Sequence, residues 1–215
     1  MTHTTTRLAP EHFEQIYQDA HGQADRVPWS RGRPSPALVN WLNAVAPTIV
    51  RCGARVAVVG CGLGDDAREL MRRGYEVTAF DCAPSAVTWA RRLDPENADR
   101  YVVADLFALP ARWNHRFDLV VEINTIQAIS PGEREKTLGS IASLIAPRGH
   151  LLVIARHAHE PVDIESGPPW PLMTEDLLHG AELAGLVATG SVTVFLDEET
   201  PPVRRLRALF HRAGA

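Results

Sequence analysis

The chain has 215 residues, 45% of them hydrophobic and 22% charged, which suits one domain with a proper buried core. Its formal net charge of −4 and pI near 6.1 speak against a general nucleic-acid binder, and the basic residues form no continuous stripe. Cys52, Cys61 and Cys82 suggest no disulfide framework, the opening MTHTTTR lacks the apolar centre of a signal peptide, and no apolar run reaches the length of a membrane span, so a cytoplasmic protein is expected.

Pro10 to Ala20 places Phe13, Ile16 and Tyr17 on one helical face. The Pro- and Gly-rich stretch VPWSRGRPSP, residues 27–36, reads as a loop ending in Ser35 as N-cap and Pro36 at the first helical position. A helix is predicted from there to about Val50. Strands and helices then alternate: strands near 55–60, 76–81, 101–105, 117–123 and 150–156, helices near 64–73, 84–92, 132–146 and 174–184. Continuous apolar strands such as Leu151 to Ile154 suit a parallel sheet covered on both faces. Leu186 to Leu196 and Arg204 to Phe210 flank the turn DEETPP and predict a closing antiparallel hairpin. The expected fold is α/β and Rossmann-like: seven mostly parallel strands, helices on both faces, and the ligand crevice at the strands' carboxyl ends.

The most informative stretch is RVAVVGCGLGDDARELMRRGYEVTAFD, residues 55–81. An apolar strand runs into Gly60, Gly62 and Gly64, a helical pattern follows, and a second strand stops on Asp81. Gly60 and Gly62 allow a close backbone approach to a ligand, Gly64 lets the helix pack tightly, and Cys61 and Cys82 are small fillers beside it. A carboxylate at Asp81 can accept both hydroxyls of a ribose; its other reading is the N-cap of the Pro84 helix, a role Ser85 could share. Asp65 and Asp66 at the helix start suit its dipole but repel a pyrophosphate. That disfavours NAD or FAD and favours a cofactor with an amino group and a sulfonium. Asp105 in YVVADLF is placed to take an adenine amino group, with the Leu106 amide reading a ring nitrogen; the alternative is a plain turn aspartate.

These residues resemble the class I S-adenosylmethionine-dependent methyltransferases along most of the chain, from the glycine loop and Asp81 through Asp105 and FDLVVE to the terminal hairpin. The resemblance implies S-adenosyl-L-methionine as cofactor and a single domain over 1–215, divided into an N-terminal helix and lid (1–36) and a Rossmann-like core (37–215). VPWSRGRPSPALVNWL further resembles the lid signature of the thiopurine and thiol/halide methyltransferase group through Trp29, Gly32, Pro34 and Pro36. That likeness implies that Trp29 covers the methionine side of the cofactor, where a tryptophan excludes water and offers a π face to a cation; the alternative is a core anchor. The tryptophans that some thiol/halide members carry before the lid are replaced here by Gln18 and Gly22, and Ile123 stands where some are aromatic.

VEINTIQAI, residues 121–129, brings polar groups to a strand's carboxyl end. Glu122 and Ile123 are expected near the cofactor, and Asn124 and Gln127 face the substrate or cap the loop. The substrate set is completed by Arg31, Arg33, Arg156 and Trp170, the arginines alternatively forming surface ion pairs. His157 is a candidate general base or a solvated loop histidine, and His157, His159 and Glu160 lack a third matched ligand for a metal. The loop EPVDIESGPPWP, residues 160–171, is expected to cover the pocket. GEREKT and DEET are assigned no chemistry.

Since no strong base is evident, a thiol or heteroaromatic nitrogen is favoured over an aliphatic alcohol as acceptor. The predicted partner is a small molecule, with no nucleic acid or membrane, and the chain is a monomer or homodimer. A non-catalytic S-adenosylmethionine-binding module and, less favoured, a nicotinamide-dependent oxidoreductase are the competing readings.

Overall fold

A computed structural model describes residues 9–213. Helices α1 (Pro10–Asp19), α2 (Pro36–Ala44) and α3 (Ala46–Ile49) precede β1 (Arg55–Val59), α4 (Asp65–Arg72), β2 (Glu76–Asp81), α5 (Pro84–Leu93) and β3 (Tyr101–Val103). They are followed by β4 (Phe117–Ile123), α6 (Arg134–Leu144), β5 (Ile145–Arg156), α7 (Thr174–Leu183), β6 (Leu186–Ala188), β7 (Thr193–Leu196) and β8 (Arg204–Arg212). The strand order is β3-β2-β1-β4-β5-β8-β6, with β7 also paired to β8. β1 to β5 are parallel, and β8 runs antiparallel to its neighbours.

Alternation along the central strands splits the core in two. Ala57, Val59, Leu151 and Val153 face a cluster with Leu138 and Ile141 of α6, while Val56, Val58, Leu152 and Ile154 face one with Trp41 of α2 and Leu70 of α4. Both faces are covered, as a parallel sheet with continuous apolar strands requires.

Four expectations are corrected. The sheet has eight strands rather than seven, because the run from Leu186 breaks around Gly190, whose φ of +75° ends one strand before the next begins. The helix predicted from Pro36 to Val50 is two helices. Pro47 has no N–H to give and its ring crowds the carbonyl four residues back, so the chain breaks at Val45. β3 stops at Val103, which leaves Asp105 in the following turn. Ser35 occupies the N-cap position of α2 without a side-chain cap; its backbone N donates to Asp66 Oδ1 at 2.7 Å. No helix of the described residues is long and apolar enough to cross a membrane.

Candidate active site

The order of strands reverses between β1 and β4, and a cleft of about 940 Å³ opens over their carboxyl ends. Its floor is the glycine loop. Gly60, Gly62 and Gly64 all have positive φ, at 59°, 52° and 82°. A Cβ on Gly60 would lie 2.4 Å from Thr125 Oγ1, and one on Gly64 would lie 2.7 Å from the Tyr101 ring. Thr125 Oγ1 donates to Val59 O at 3.0 Å, so the turn after β4 rests directly on the end of β1.

Asp81 is buried at the end of β2. Its Oδ2 accepts the Gly62 amide at 2.9 Å and its Oδ1 the Ala83 amide at 3.0 Å. Burial raises its pKa, against the Ala83, Gly62 and Cys82 hydrogen bonds that lower it. One carboxylate therefore staples the glycine loop to the start of α5. The side chain that serves the first turn of α5 is neither Asp81 nor Ser85 but Glu14 of α1, which accepts from Ser85 N at 2.9 Å and Ser85 Oγ at 2.6 Å.

The segment before α2 packs beside the loop. Trp29 is 41% exposed, so it is no core anchor; its Nε1 donates to Tyr17 Oη at 2.8 Å, and its ring meets Phe13 and Tyr17 edge-on. Tyr17 Oη sits 3.1 Å from where a Gly62 Cβ would project. Asp65 pairs with Arg68, and burial pushes Asp66 up to about 6. Beyond the loop, Cys61, Cys82, Asp105, Leu106 and Ile123 line the cleft, with Asp105 Oδ1 accepting the Phe107 amide at 2.9 Å.

Asn124, Gln127, Arg31, Arg33 and Arg156 also line the cleft. Asn124 has a φ of 67°, and its Oδ1 accepts from Arg205 Nη1 at 3.0 Å. Gln127 Oε1 accepts the Arg156 amide at 2.6 Å, while Gln127 O accepts the Trp170 amide at 2.7 Å. Among the described residues Arg156 makes no ion pair, with Asp163 and Glu165 or otherwise. Arg31 pairs with Glu199.

Residues 56–149 match the family model for a methyltransferase domain. A 2-heptyl-1-hydroxyquinolin-4(1H)-one methyltransferase of Mycobacteroides abscessus is 26% identical over 162 residues, 73% of this chain and 69% of that protein. A ubiquinone biosynthesis O-methyltransferase of Xanthomonas campestris pv. campestris is 32% identical over 114 residues, 52% of this chain, and the match spans 47% of that protein. The matched domain and these relatives support an S-adenosylmethionine-dependent methyltransferase. The fold is shared with a Burkholderia thailandensis 1,6-didemethyltoxoflavin-N1-methyltransferase, solved with bound 1,6-didemethyltoxoflavin and S-adenosylhomocysteine, at TM-score 0.70 and 17% identity over 96% of this chain and 91% of that one.

The methyltransferase cleft fits its cofactor by chemistry as well as by shape. The glycine loop leaves room where a Cβ would collide, and the acidic groups around it suit hydroxyl and ammonium donors. Four expected contacts lie off its wall, Gly64, which packs against Tyr101, being the first. Glu122 is fully buried, with Oε1 accepting the Thr125 and Ile126 amides, the latter at 2.9 Å. It caps the turn from below because its place in β4 points it into the core, and burial lifts it to about 7. His157 bridges to Leu172 and sits 3.2 Å from Thr174 Oγ1; burial, with His159 and Arg204, lowers its pKa. Trp170 is buried with Nε1 donating to Ile164 O at 2.8 Å, and Pro168 and Pro169 of the same loop line the cleft instead.

Reading the sequence alone missed Tyr17, Asp197, Glu198, Glu199, Arg205 and His12, which is the one histidine on the cleft wall among the described residues. The acidic tip DEET does carry a role: Asp197 and Glu199 hold Arg205. Among the described residues no group of three or more His, Cys, Asp or Glu comes together to hold a metal.

Proposed function

We propose that this methyltransferase acts on a small, flat acceptor through sulfur or a heteroaromatic nitrogen, with the whole chain as one domain and residues 1–36 as its lid. In this reading Asp81 holds the ribose hydroxyls, Asp105 and the Leu106 amide take the adenine edge, Gly60 to Gly62 lie against the cofactor, and Trp29 covers its methionine side. Bound S-adenosylmethionine supplies the electrophilic methyl group. Arg156 receives an anionic group of the acceptor, and Asn124 and Gln127 orient it.

The observation that carries the reading is the division of the cleft. Four carboxylates, Asp65, Asp66, Asp81 and Asp105, line the cleft with the glycine loop, while another wall combines Ile129, Pro168, Pro169, Phe195 and Leu196 with Arg156, which makes no ion pair among the described residues. That wall offers little to deprotonate an alcohol. His157 lies elsewhere, Asp197 and Glu199 are committed to arginines, and His12 and Glu198 remain on the lining as candidate bases. A thiol with a pKa of about 8.5 is partly ionised near neutrality and needs only placement. Holding an acceptor about 3–3.5 Å from its target supplies roughly 7–11 kcal/mol. The hydroxyquinolinone and didemethyltoxoflavin in the names of two similar proteins are ring systems, which supports a ring-bearing acceptor here. The likeness to the thiopurine and thiol/halide group rests on the lid motif around Trp29.

The test is a panel of aryl thiols, heteroaromatic N–H compounds, phenols and aliphatic alcohols, with methylated products read by mass spectrometry. Turnover of the first two classes, reduced when Arg156→Gln is introduced and the acceptor is anionic, is expected. Methylation of aliphatic alcohols alone would overturn the acceptor reading.

A further inference from the structure

Arg205 of β8 is only 3% exposed and stands directly opposite Arg156 of β5 in the antiparallel ladder. Two cations so placed repel each other, and a buried guanidinium is tolerated only with acceptors on its edges. Arg205 has them on three. Its Nε pairs with Asp197, its Nη2 reaches Glu199 at 2.7 Å, and its Nη1 reaches Asn124 Oδ1 at 3.0 Å. Each partner belongs to a different structural job. Asp197 organises the turn between β7 and β8, its Oδ1 accepting the amides of Glu199 at 3.0 Å and Val203 at 2.8 Å. Asn124 is a non-glycine residue in the left-handed region at the end of β4, and its amide donates to Ile154 O at 3.0 Å. Glu199 carries a second guanidinium, Arg31 of the lid, 168 residues away in sequence, which also lies 3.8 Å from Asp197.

We propose that Arg205 is the positioning residue of the acceptor end, fixing the turn after β4 through Asn124 and fastening the lid across the cleft mouth through Glu199 and Arg31. This rests on reading the cleft as the site of cofactor and acceptor. All five residues line it, so the Arg31–Glu199 pair bridges two walls. Arg205 has its charge offset by two carboxylates and acts through its partners rather than on the acceptor. A lysine cannot replace it, since one ammonium lacks the planar fork that serves three directions at once. The link from Glu199 to Arg31 is the separable part: their side chains are 36% and 24% exposed, so salt screens it, whereas the Arg205–Asp197 pair is buried.

The test is amide hydrogen exchange on the purified full chain, without ligand and with S-adenosylhomocysteine. Glu199→Gln should speed exchange of residues 28–35 about two- to five-fold at low salt, with no change in β1 or β4. Near 1 M salt, where the screening length is about 3 Å, the wild type should match it. Arg31→Ala combined with Glu199→Gln should be no faster than Arg31→Ala alone, which also removes the 3.8 Å contact with Asp197. Arg205→Lys should loosen both the lid and residues 124–128, and raise the acceptor KM. If that variant folds poorly, Asn124→Gly, which keeps the left-handed backbone and removes Oδ1, should loosen 124–128 and spare the lid. Wild-type lid exchange in Glu199→Gln, additive effects of the two lid variants, or loosening confined to residues 193–204 would each overturn the proposal. Failure of the wild type to bind S-adenosylhomocysteine would instead strike the reading of the cleft, and the exchange pattern of the free protein would still decide this inference.

Discussion

Replacing Asp81 by asparagine isolates the contact on which the proposed cofactor binding most depends. Its two oxygens each accept one loop amide, from Gly62 at 2.9 Å and Ala83 at 3.0 Å. A carboxylate has about four lone-pair sites, which Gly62, Ala83 and Cys82 already share, so the ribose hydroxyls take what acceptor capacity those bonds leave. Asparagine has a single acceptor atom. Whichever amide its oxygen takes, the other faces an N–H₂ group, which costs the fold about 1–3 kcal/mol. On the ligand side one charge-assisted bond is lost and the other loses its charge. A deficit of about 1.5–3 kcal/mol corresponds to roughly ten- to 150-fold in Kd. Titration calorimetry with S-adenosylhomocysteine, on protein shown by urea unfolding to be native, measures it. Because burial raises the Asp81 pKa, wild-type affinity should also fall as the medium is acidified through that pKa, and the asparagine variant should lack this fall. A folded Asp81→Asn that binds within about three-fold of wild type would refute the reasoning and leave Asp81 as a loop staple alone.

Three further outcomes are expected. Gly60→Ala places a Cβ 2.4 Å from Thr125 Oγ1 at a φ of +59°; Thr125→Ala should recover the steric part in urea unfolding but not the backbone part of about 1–2 kcal/mol, and complete recovery would show the backbone to be unstrained. For Glu122, raised by burial to about 7, the native state keeps its proton while the unfolded chain loses its own above about 4.5, so stability falls as pH rises between these values and the loss is complete above 7. Glu122→Gln should therefore gain on the order of 3 kcal/mol relative to wild type between pH 4.5 and 8, and parallel stability curves would contradict this. Trp29→Ala, which removes the bond to Tyr17 Oη, should weaken S-adenosylhomocysteine binding and slow turnover together; full activity would exclude Trp29 from the cover of the cofactor.

The βαβ unit was legible because its signals are local. β2 and β4 begin and end where their apolar runs do, and the positive φ angles at Gly60, Gly62 and Gly64 are what a glycine loop implies. What escaped depends on depth or on distance. Proximity to a strand end suggested that Glu122, His157 and Trp170 reach the ligand, but it does not say which way a side chain points. Glu122 falls on the buried side, and Trp170 packs against Gly167, where a Cβ would lie 2.4 Å from its ring. The acidic tip looked like a solvated turn because its partner Arg31 is 168 residues away. Glu14 at the start of α5 was hidden for the same reason, its partner Ser85 lying 71 residues downstream.

The charge around the glycine loop, more than its shape, separates this cleft from a dinucleotide site. In such sites the amides at the start of the helix after the first strand hold a pyrophosphate. Here that helix, α4, opens with Asp65 and Asp66. Asp66 accepts the backbone amide of Ser35, so the acidic helix start also anchors the base of the lid. An anion entering here would meet both carboxylates, each opposing it by about 1–4 kcal/mol at 4 Å, depending on local screening. An ammonium or sulfonium gains by the same amounts. Arg68 offsets Asp65 only in part, since it also donates to Leu63 O, and burial already disfavours a lone charge on Asp66. A cationic ligand would therefore relieve a cost that these carboxylates carry, and the same Asp66 ties this part of the cleft to the segment before α2.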